Sequence, residues 1–197
     1  MVTRPVRIGI LGTHSTGKTD LMKRIEMELR GHGLAAARTG RLAKRAARLG
    51  WPKMQHHTAL STEWIITQGV ADELAMVIEG ADVVLADRAP LDALAYYTAA
   101  LEFRGENPTT PNADRLRRLA ATQTPQYDLL IATVLDTEIH VDQSHDYDMR
   151  YRALVDQHTH QLLHTQNIPH LRATSDRQTK NEIIESAVNL ALKKAAA

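Results

Sequence analysis

The sequence predicts an α/β fold in which helices cover both faces of a parallel β-sheet. Short apolar runs alternate with segments whose apolar residues recur every three or four positions, which is typical of strands connected by helices. The chain has 197 residues, of which 43% are hydrophobic and 24% charged, enough for one domain with a full core. No internal repeat or linker divides the sequence. We therefore expect a single domain over residues 1–197.

The chain begins with a predicted strand and helix that are joined by a glycine-rich loop. The apolar run at 6–11 ends at Gly12 and has the pattern of a strand buried on both faces. The apolar residues of 18–29 follow at helical spacing. Residues 34–37 predict a second strand, although alanine has little β preference, and 41–49 predict a second helix.

The middle of the chain repeats this alternation. The long apolar stretch at 59–79 predicts a buried helix, and the run at 82–87 predicts the third strand. Helical spacing returns at 91–101 and in the short basic segment 114–121. Pro125 then ends the helical pattern, and the apolar residues of 127–135 predict the fourth strand.

The last quarter of the chain begins with a polar loop. Residues 136–148 are almost without apolar side chains, and we expect a loop there. Helical spacing follows at 151–163, a short strand is predicted at 168–173, and a closing helix at 177–194. The sequence therefore predicts five strands, each followed by helical segments.

Composition and charge exclude several classes of protein. Cysteine is absent, which rules out disulfides, thiolate nucleophiles and cysteine-based zinc sites. No run of eighteen apolar residues is present, and the apolar run near the start is too short for a signal peptide. We therefore expect no membrane segment and no signal peptide, and we expect a cytoplasmic location. The net charge of +1 divides into +9 over residues 1–60 and −8 over residues 61–197. The N-terminal third is therefore expected to face an anion, either a polyanion or a nucleotide phosphate.

The first loop carries a phosphate-binding motif. The sequence GTHSTGKT matches G-x-x-x-x-G-K-[ST] and lies between a predicted strand and a predicted helix, as that motif requires. Gly12 and Gly17 allow a tight loop with inward N–H groups, Lys18 reaches the β- and γ-phosphates, and Thr19 offers its hydroxyl to Mg²⁺. The predicted ligands are ATP and Mg²⁺. The predicted cradle consists of Gly12, Thr13, His14, Ser15, Thr16, Gly17, Lys18 and Thr19.

An acid and a base follow the third strand. Asp87 and Arg88 lie at its carboxyl end, where ligands of open α/β sheets bind. Asp87 could hold Mg²⁺ through water or accept a proton from the phosphoryl acceptor, and Arg88 could hold an anionic acceptor. The alternative is a solvated ion pair. Asp92 is a candidate for acceptor binding, or else a favourable charge in the first turn of a helix.

Arginines elsewhere offer further candidates. The basic residues at 38–48 fall at helical spacing and are expected to form a solvated face, except that Arg41 is assigned to acceptor recognition. Arg150 and Arg152 follow the polar segment, so residues 136–150 have the position of a lid whose arginines neutralise the transferring phosphoryl group. Their alternative role is pairing with nearby aspartates at the surface. The pair His160 and His164 lacks the glutamate and third ligand that zinc catalysis needs.

Three ordered segments resemble a known family. GTHSTGKT at 12–19, STEWIITQGVADEL at 61–74 and VVLADRAPLDALAYY at 83–97 are similar to small P-loop ATPases and kinases related to the nicotinamide-riboside kinase module. Residues 142–163 give a looser match. The resemblance implies a P-loop NTPase fold of the nucleoside and nucleotide kinase type, with a three-layer α/β/α arrangement, a lid and five parallel strands in the order 2-3-1-4-5.

The same resemblance implies roles for individual residues. Asp87 and Arg88 correspond to the acid and base at the strand end, Arg150 or Arg152 to the lid arginine, and the loop that ends at Arg177 to the one beside adenine. The family often has a glutamate near the end of the second strand, where residues 38–41 contain none. Either Asp87 is therefore the base, or the acceptor is already a phosphate, which needs no deprotonation.

These observations predict a kinase that uses ATP and Mg²⁺ to phosphorylate a small molecule. The expected acceptor is a nucleoside, a nucleotide or a nucleoside-like metabolite. A second hypothesis places the acceptor hydroxyl on a polynucleotide or a modified base, with the basic N-terminal third as its groove. A third is an ATPase switch that regulates a protein partner. The sequence is also compatible with a homodimer.

Overall fold

The computed structural model describes residues 4–138 and 148–196. Within these ranges five parallel strands form one sheet in the order β2-β3-β1-β4-β5. The predicted fold class and strand order are confirmed. The strands are β1 (Val6–Leu11), β2 (Ala36–Arg38), β3 (Val83–Asp87), β4 (Leu129–Thr133) and β5 (Leu171–Ala173).

Helices connect the strands and cover the sheet. Two short 3-10 turns, Met54–His56 and Thr124–Gln126, accompany them. The helices are α1 (Lys18–Gly31), α2 (Leu42–Arg48), α3 (Ala59–Ile78), α4 (Pro90–Phe103), α5 (Pro111–Gln123), α6 (Met149–Thr165) and α7 (Arg177–Ala195). No helix in the described ranges has the length and apolar character needed to cross a bilayer.

The core lies on both faces of the sheet. On one face, Ile8 and Ile10 of β1 pack with the buried apolar residues of α1 and α7. On the other, Leu11 and Leu130 pack with residues from α2, α3, α4 and α5. A third cluster joins α4 to α6 through Tyr96 and its neighbours. Because both faces are covered, the central strands appear in the sequence as unbroken apolar runs.

Element boundaries differ from the sequence expectations by a few residues. Helix α5 begins at Pro111 rather than 114, because Thr110 Oγ1 accepts a hydrogen bond from Ala113 N at 3.1 Å and proline suits the first helical position. Strand β5 has three residues rather than six. Pro169 has no N–H to donate to a strand ladder, which is consistent with this shorter edge strand. Residues 139–147, most of the expected lid, lie outside the described residues.

The parallel arrangement positions the site. Since all five strands run in the same direction, their carboxyl ends meet at one edge of the sheet. The loop after β1, Thr39 after β2, Asp87 at the end of β3 and Thr133 at the end of β4 all lie at this edge. Residues far apart in the sequence are therefore brought around the start of α1.

Candidate active site

The loop between β1 and α1 has a backbone shape that depends on its glycines. Gly12 has φ +131° and Gly17 has φ +84°, both in the region that side chains disfavour. A Cβ at Gly12 would also lie 2.0 Å from Thr133 Oγ1, so β4 approaches the loop too closely for any side chain there. Gly17 precedes the first residue of α1, and the positive end of that helix therefore faces the loop.

Replacing Gly12 by alanine is expected to destabilise the fold by more than about 2 kcal/mol, since it combines an unfavourable φ with a steric clash. Denaturant unfolding measures this loss. Gly31→Ala is the control, because Gly31 is helical and a Cβ there meets nothing within 4 Å. That variant should be neutral or up to about 1 kcal/mol more stable. Equal stability of the two variants would contradict the assigned contact.

Lys18 is the first residue of α1, and its side chain folds back over the loop. Its Nζ donates to the carbonyl oxygens of Gly12 at 2.7 Å and Thr13 at 2.5 Å. The residue is only 7% exposed. Burial lowers the pKa of Lys18 to about 8, while the carboxylate of Asp92 opposes this change. The ammonium is therefore predominantly charged at pH 7 and lies at the centre of the site.

Asp92 joins the loop to α4. Its Oδ1 accepts a hydrogen bond from Gly12 N at 2.7 Å, and its Oδ2 lies 3.3 Å from Arg88 Nη1. The side chain is fully buried, and burial raises its pKa although Arg88 and Lys18 oppose this. Asp92 lies within the first turn of α4, as one of its two predicted roles requires, and its contacts are to Gly12 and Arg88; acceptor binding by Asp92 itself stays a prediction.

The loop, the start of α1 and the end of β3 form a polar cleft of about 350 Å³. Lys18, Thr19, Asp87 and Arg88 line it, together with His14 and other loop residues. A hydroxyl and a carboxylate in one cleft suit Mg²⁺, which commonly uses one or two protein oxygens and completes its shell with phosphates and water. The described residues contain no cluster of three or more histidine or acidic side chains that could hold a metal by themselves. The donor set thus fits a metal that arrives with a nucleotide.

Arg152 and Arg150 lie in different surroundings. Arg152 is 1% exposed and donates from Nε to His14 O at 3.2 Å and from Nη2 to Ser15 O at 3.1 Å. Arg150 is exposed, and its guanidinium lies 5.3 Å from the ring centre of Phe103. Because the two arginines are two residues apart on a helix, their side chains point in directions about 160° apart around its axis. Of the two, α6 brings Arg152 to the phosphate loop.

The remaining candidates lie around the same edge of the sheet. His14 is buried, and its burial together with Lys18, Arg88 and Arg152 lowers its pKa to about 3, so its imidazole is neutral. Arg41 is exposed at the start of α2 with φ +64°. Arg177, the candidate for the loop beside adenine, is also exposed and is the first residue of α7.

Three residues of the site were not singled out from the sequence. Thr133 Oγ1 lies 2.7 Å from Thr16 Oγ1 and donates to Leu11 O at 3.1 Å, so β4 supports the loop. The ring of Tyr96 lies under the guanidinium of Arg88, 4.5 Å from its carbon. Lys180 Nζ lies 3.9 Å from the position of a Cβ on Gly17. Only the position of Thr133 at a strand end could have indicated its role.

Ion pairs account for part of the basic excess in the N-terminal third. Arg30 and Arg38 both contact Glu26, at 2.8 Å and 3.2 Å. Arg45 contacts Asp72 of α3 at 2.5 Å. The positive charge of residues 1–60 is therefore divided between intramolecular pairs and the side chains around the cleft.

Comparisons with known proteins identify the family and the fold. The family described as an AAA domain matches residues 7–180. A search of curated proteins finds no significant match. The solved structure described as NadR protein in complex with NR superposes on this chain with a TM-score of 0.67 at 13% sequence identity. The superposition covers 95% of this chain and 51% of the NadR chain, so this chain spans about half the length of that protein. Deoxyadenosine kinase from M. mycoides, with products dCMP and dCDP bound, gives a TM-score of 0.57 at 10% identity over 97% and 99% of the two chains. These similarities establish the P-loop kinase fold.

Proposed function

The chain belongs to the AAA domain family, and from that membership and the composition of the cleft we propose that it is an ATP-dependent phosphotransferase with a small-molecule acceptor. The observation that carries the proposal is the meeting of Lys18, Thr19, Asp87 and Arg88 in one cleft at the phosphate loop. A nucleotide-binding site requires the lysine and threonine. The acid and base beside them suit a second substrate.

The proposed reaction is an in-line transfer. An acceptor oxygen forms a bond to the γ-phosphorus of ATP while the bond from that phosphorus to the β–γ bridging oxygen breaks, and ADP leaves. Lys18 stabilises the negative charge on the phosphoryl oxygens, and Arg152 holds the loop that presents the nucleotide. Mg²⁺, held by Thr19 and through water by Asp87, would neutralise charge on the β- and γ-phosphates. A hydroxyl acceptor would give its proton to Asp87.

A screen with γ-labelled ATP tests the proposal. Nucleosides, nucleotides and other phosphorylatable metabolites are offered to the full chain with Mg²⁺, and transfer of the label to an acceptor is the expected result. Hydrolysis of ATP without transfer to any acceptor would contradict the kinase and favour an ATPase switch. Transfer to oligonucleotide ends, with an affinity that falls steeply as salt is added, would favour the polynucleotide alternative.

Affinity for ATP is expected to fall as the pH rises through about 8. The pKa of Lys18 is lowered by burial to about 8, so raising the pH above this value removes the charge that attracts the triphosphate. Binding then requires uptake of a proton, and Kd should rise by up to about tenfold per pH unit. Calorimetric titrations above neutral pH measure this slope. The slope should disappear in Lys18→Met, and a flat profile for the parent protein would contradict the assignment.

A further inference from the structure

A second, smaller cavity lies beside the phosphate loop. It has a volume of about 30 Å³, enough for about two water-sized groups, and is enclosed by α2, the turn Met54–His56, α3 and α4. Apolar side chains form most of its wall. Its polar lining consists of Lys53, His57, Arg88 and Tyr96.

Arg88 connects this cavity to the phosphate-loop cleft, because it lines both. Its guanidinium is fixed on two sides, by Asp92 Oδ2 at 3.3 Å and by the ring of Tyr96 at 4.5 Å from the ring centre. A group held by Arg88 in the cavity would therefore border the position of the γ-phosphate of a bound nucleotide. The cavity thus borders the place that an acceptor held by Arg88 would occupy.

Unfavourable backbone conformations surround the cavity. Met54 has φ +56° and Arg88 has φ +75°, and both line it. Arg41, with φ +64°, begins α2, which supplies Ala43 and Ala46 to the wall. Each such non-glycine residue costs about 1–3 kcal/mol, and such residues cluster at functional sites. The fold maintains this strain around the cavity, which favours a binding role over incidental packing.

The charged side chains that line the cavity are cations, and one of them, Arg88, is paired with Asp92, which lies outside the lining. The lining contains two cationic side chains, and no carboxylate from the described residues is part of it. Lys53 is exposed, and within the described ranges its Nζ makes no hydrogen bond or ion pair. Burial, followed by the charges of Arg88 and Arg104, lowers the pKa of His57 to about 3, so His57 is neutral and offers only hydrogen bonds. A cation without an internal partner beside a fixed arginine is suited to an anion.

We propose that the acceptor is a phosphate monoester whose phosphate is held by Arg88 and Lys53 between the cavity and the phosphate-loop cleft. The inference rests on the proposed kinase function and specifies its substrate class. A phosphate oxygen forms the bond to the γ-phosphorus, the bond to the bridging oxygen breaks, and the products are ADP and a diphosphate ester. The dianionic acceptor carries no proton on the attacking oxygen. The attacking oxygen therefore needs no carboxylate base; among the described residues the cavity lining contains none, whereas Asp87 lines the adjoining cleft.

Matched acceptor pairs test this substrate class. The full chain is given γ-labelled ATP with each nucleoside and its 5′-monophosphate, and with ribose and ribose 5-phosphate. Transfer is expected to the phosphorylated member of a pair, with a diphosphate product visible by phosphorus NMR. Transfer to the neutral members alone would overturn the inference and leave the kinase proposal in place. Transfer to no acceptor would overturn both.

Lys53→Met supplies the second arm of the test. We expect the KM for the phosphorylated acceptor to rise by about tenfold to a hundredfold, as for loss of a charged hydrogen bond, while the KM for ATP stays unchanged. Lys44→Met is the matched control, because Lys44 is an exposed lysine of α2 outside the cavity lining. An unchanged acceptor KM in Lys53→Met, or an equal change in Lys44→Met, would overturn the role of Lys53.

Discussion

Replacing Lys18 by alanine is expected to lower the rate of phosphoryl transfer by roughly 10²–10³-fold, the usual loss when one charge that stabilises a transition state is removed. Lys18 is the buried cation at the centre of the phosphate loop, and its Nζ contacts two carbonyl oxygens of that loop. The charge has its largest effect where phosphate charge develops. Transfer of labelled phosphate to the acceptor measures this rate, and circular dichroism checks that the fold persists.

Lys23→Ala is the control for Lys18→Ala. Lys23 lies on the same helix, and its exposed ammonium lies 3.9 Å from Asp20 Oδ1. An exposed pair of this kind contributes little to stability, so the control should keep the parent rate and melting temperature. If Lys18→Ala transferred phosphate as fast as Lys23→Ala, Lys18 would have no part in the reaction.

Asp92→Ala is expected to produce the largest loss of stability. The substitution removes a fully buried carboxylate that accepts from Gly12 N and faces Arg88, leaving both groups without that partner. Breaking a buried pair in this way costs about 3 kcal/mol or more. For a chain of this size, that loss lowers the melting temperature by about 6–12 °C. Calorimetry or circular dichroism measures the shift.

Asp92→Asn separates the two contacts of Asp92. The amide oxygen can still accept from Gly12 N, whereas the negative charge beside Arg88 is lost. We therefore expect an intermediate melting temperature for Asn. A melting temperature of Asp92→Ala within a degree or so of the parent protein would show that the tie between the loop and α4 contributes little.

The phosphate loop was recognisable in the sequence because its residues are contiguous and each has a local role. Glycines at both ends, a lysine and a threonine form a pattern of eight positions, and the flanking apolar run and helical spacing supply its context. The strands were recognisable for a related reason. A central strand covered on both faces must be apolar throughout, as in Val83–Asp87, whose first four residues are buried.

Contacts between distant segments were not recognisable. Asp92 meets Gly12 across 80 positions of the chain, and Thr133 meets Thr16 across 117. No local pattern encodes such pairs, since they depend on which strands become neighbours in the sheet. The turn at Met54 was missed for another reason: a positive φ is usually signalled by glycine or asparagine, and here the residue is methionine.

The two arginines of α6 illustrate what helical phase could have added. Val155 and Thr159 are buried, and Arg152 shares their side of the helix at spacings of three and seven. Arg150 lies two residues earlier and therefore on another side. The phase of the buried positions thus favours Arg152 as the residue that turns inward, although phase by itself does not identify the phosphate loop as its partner.

The phosphate loop is held by hydrogen bonds with two helices, α4 and α6, which are also hydrogen-bonded to each other. Asp92 of α4 holds Gly12 N, Arg152 of α6 holds the carbonyls of His14 and Ser15, and Tyr151 Oη donates to Tyr96 O at 2.9 Å between the same two helices. These three links close a ring of contacts around the loop. The phosphate loop therefore loses its conformational entropy when the chain folds rather than when a ligand binds. A nucleotide would bind to a loop that is already ordered, without a further entropic cost for ordering it.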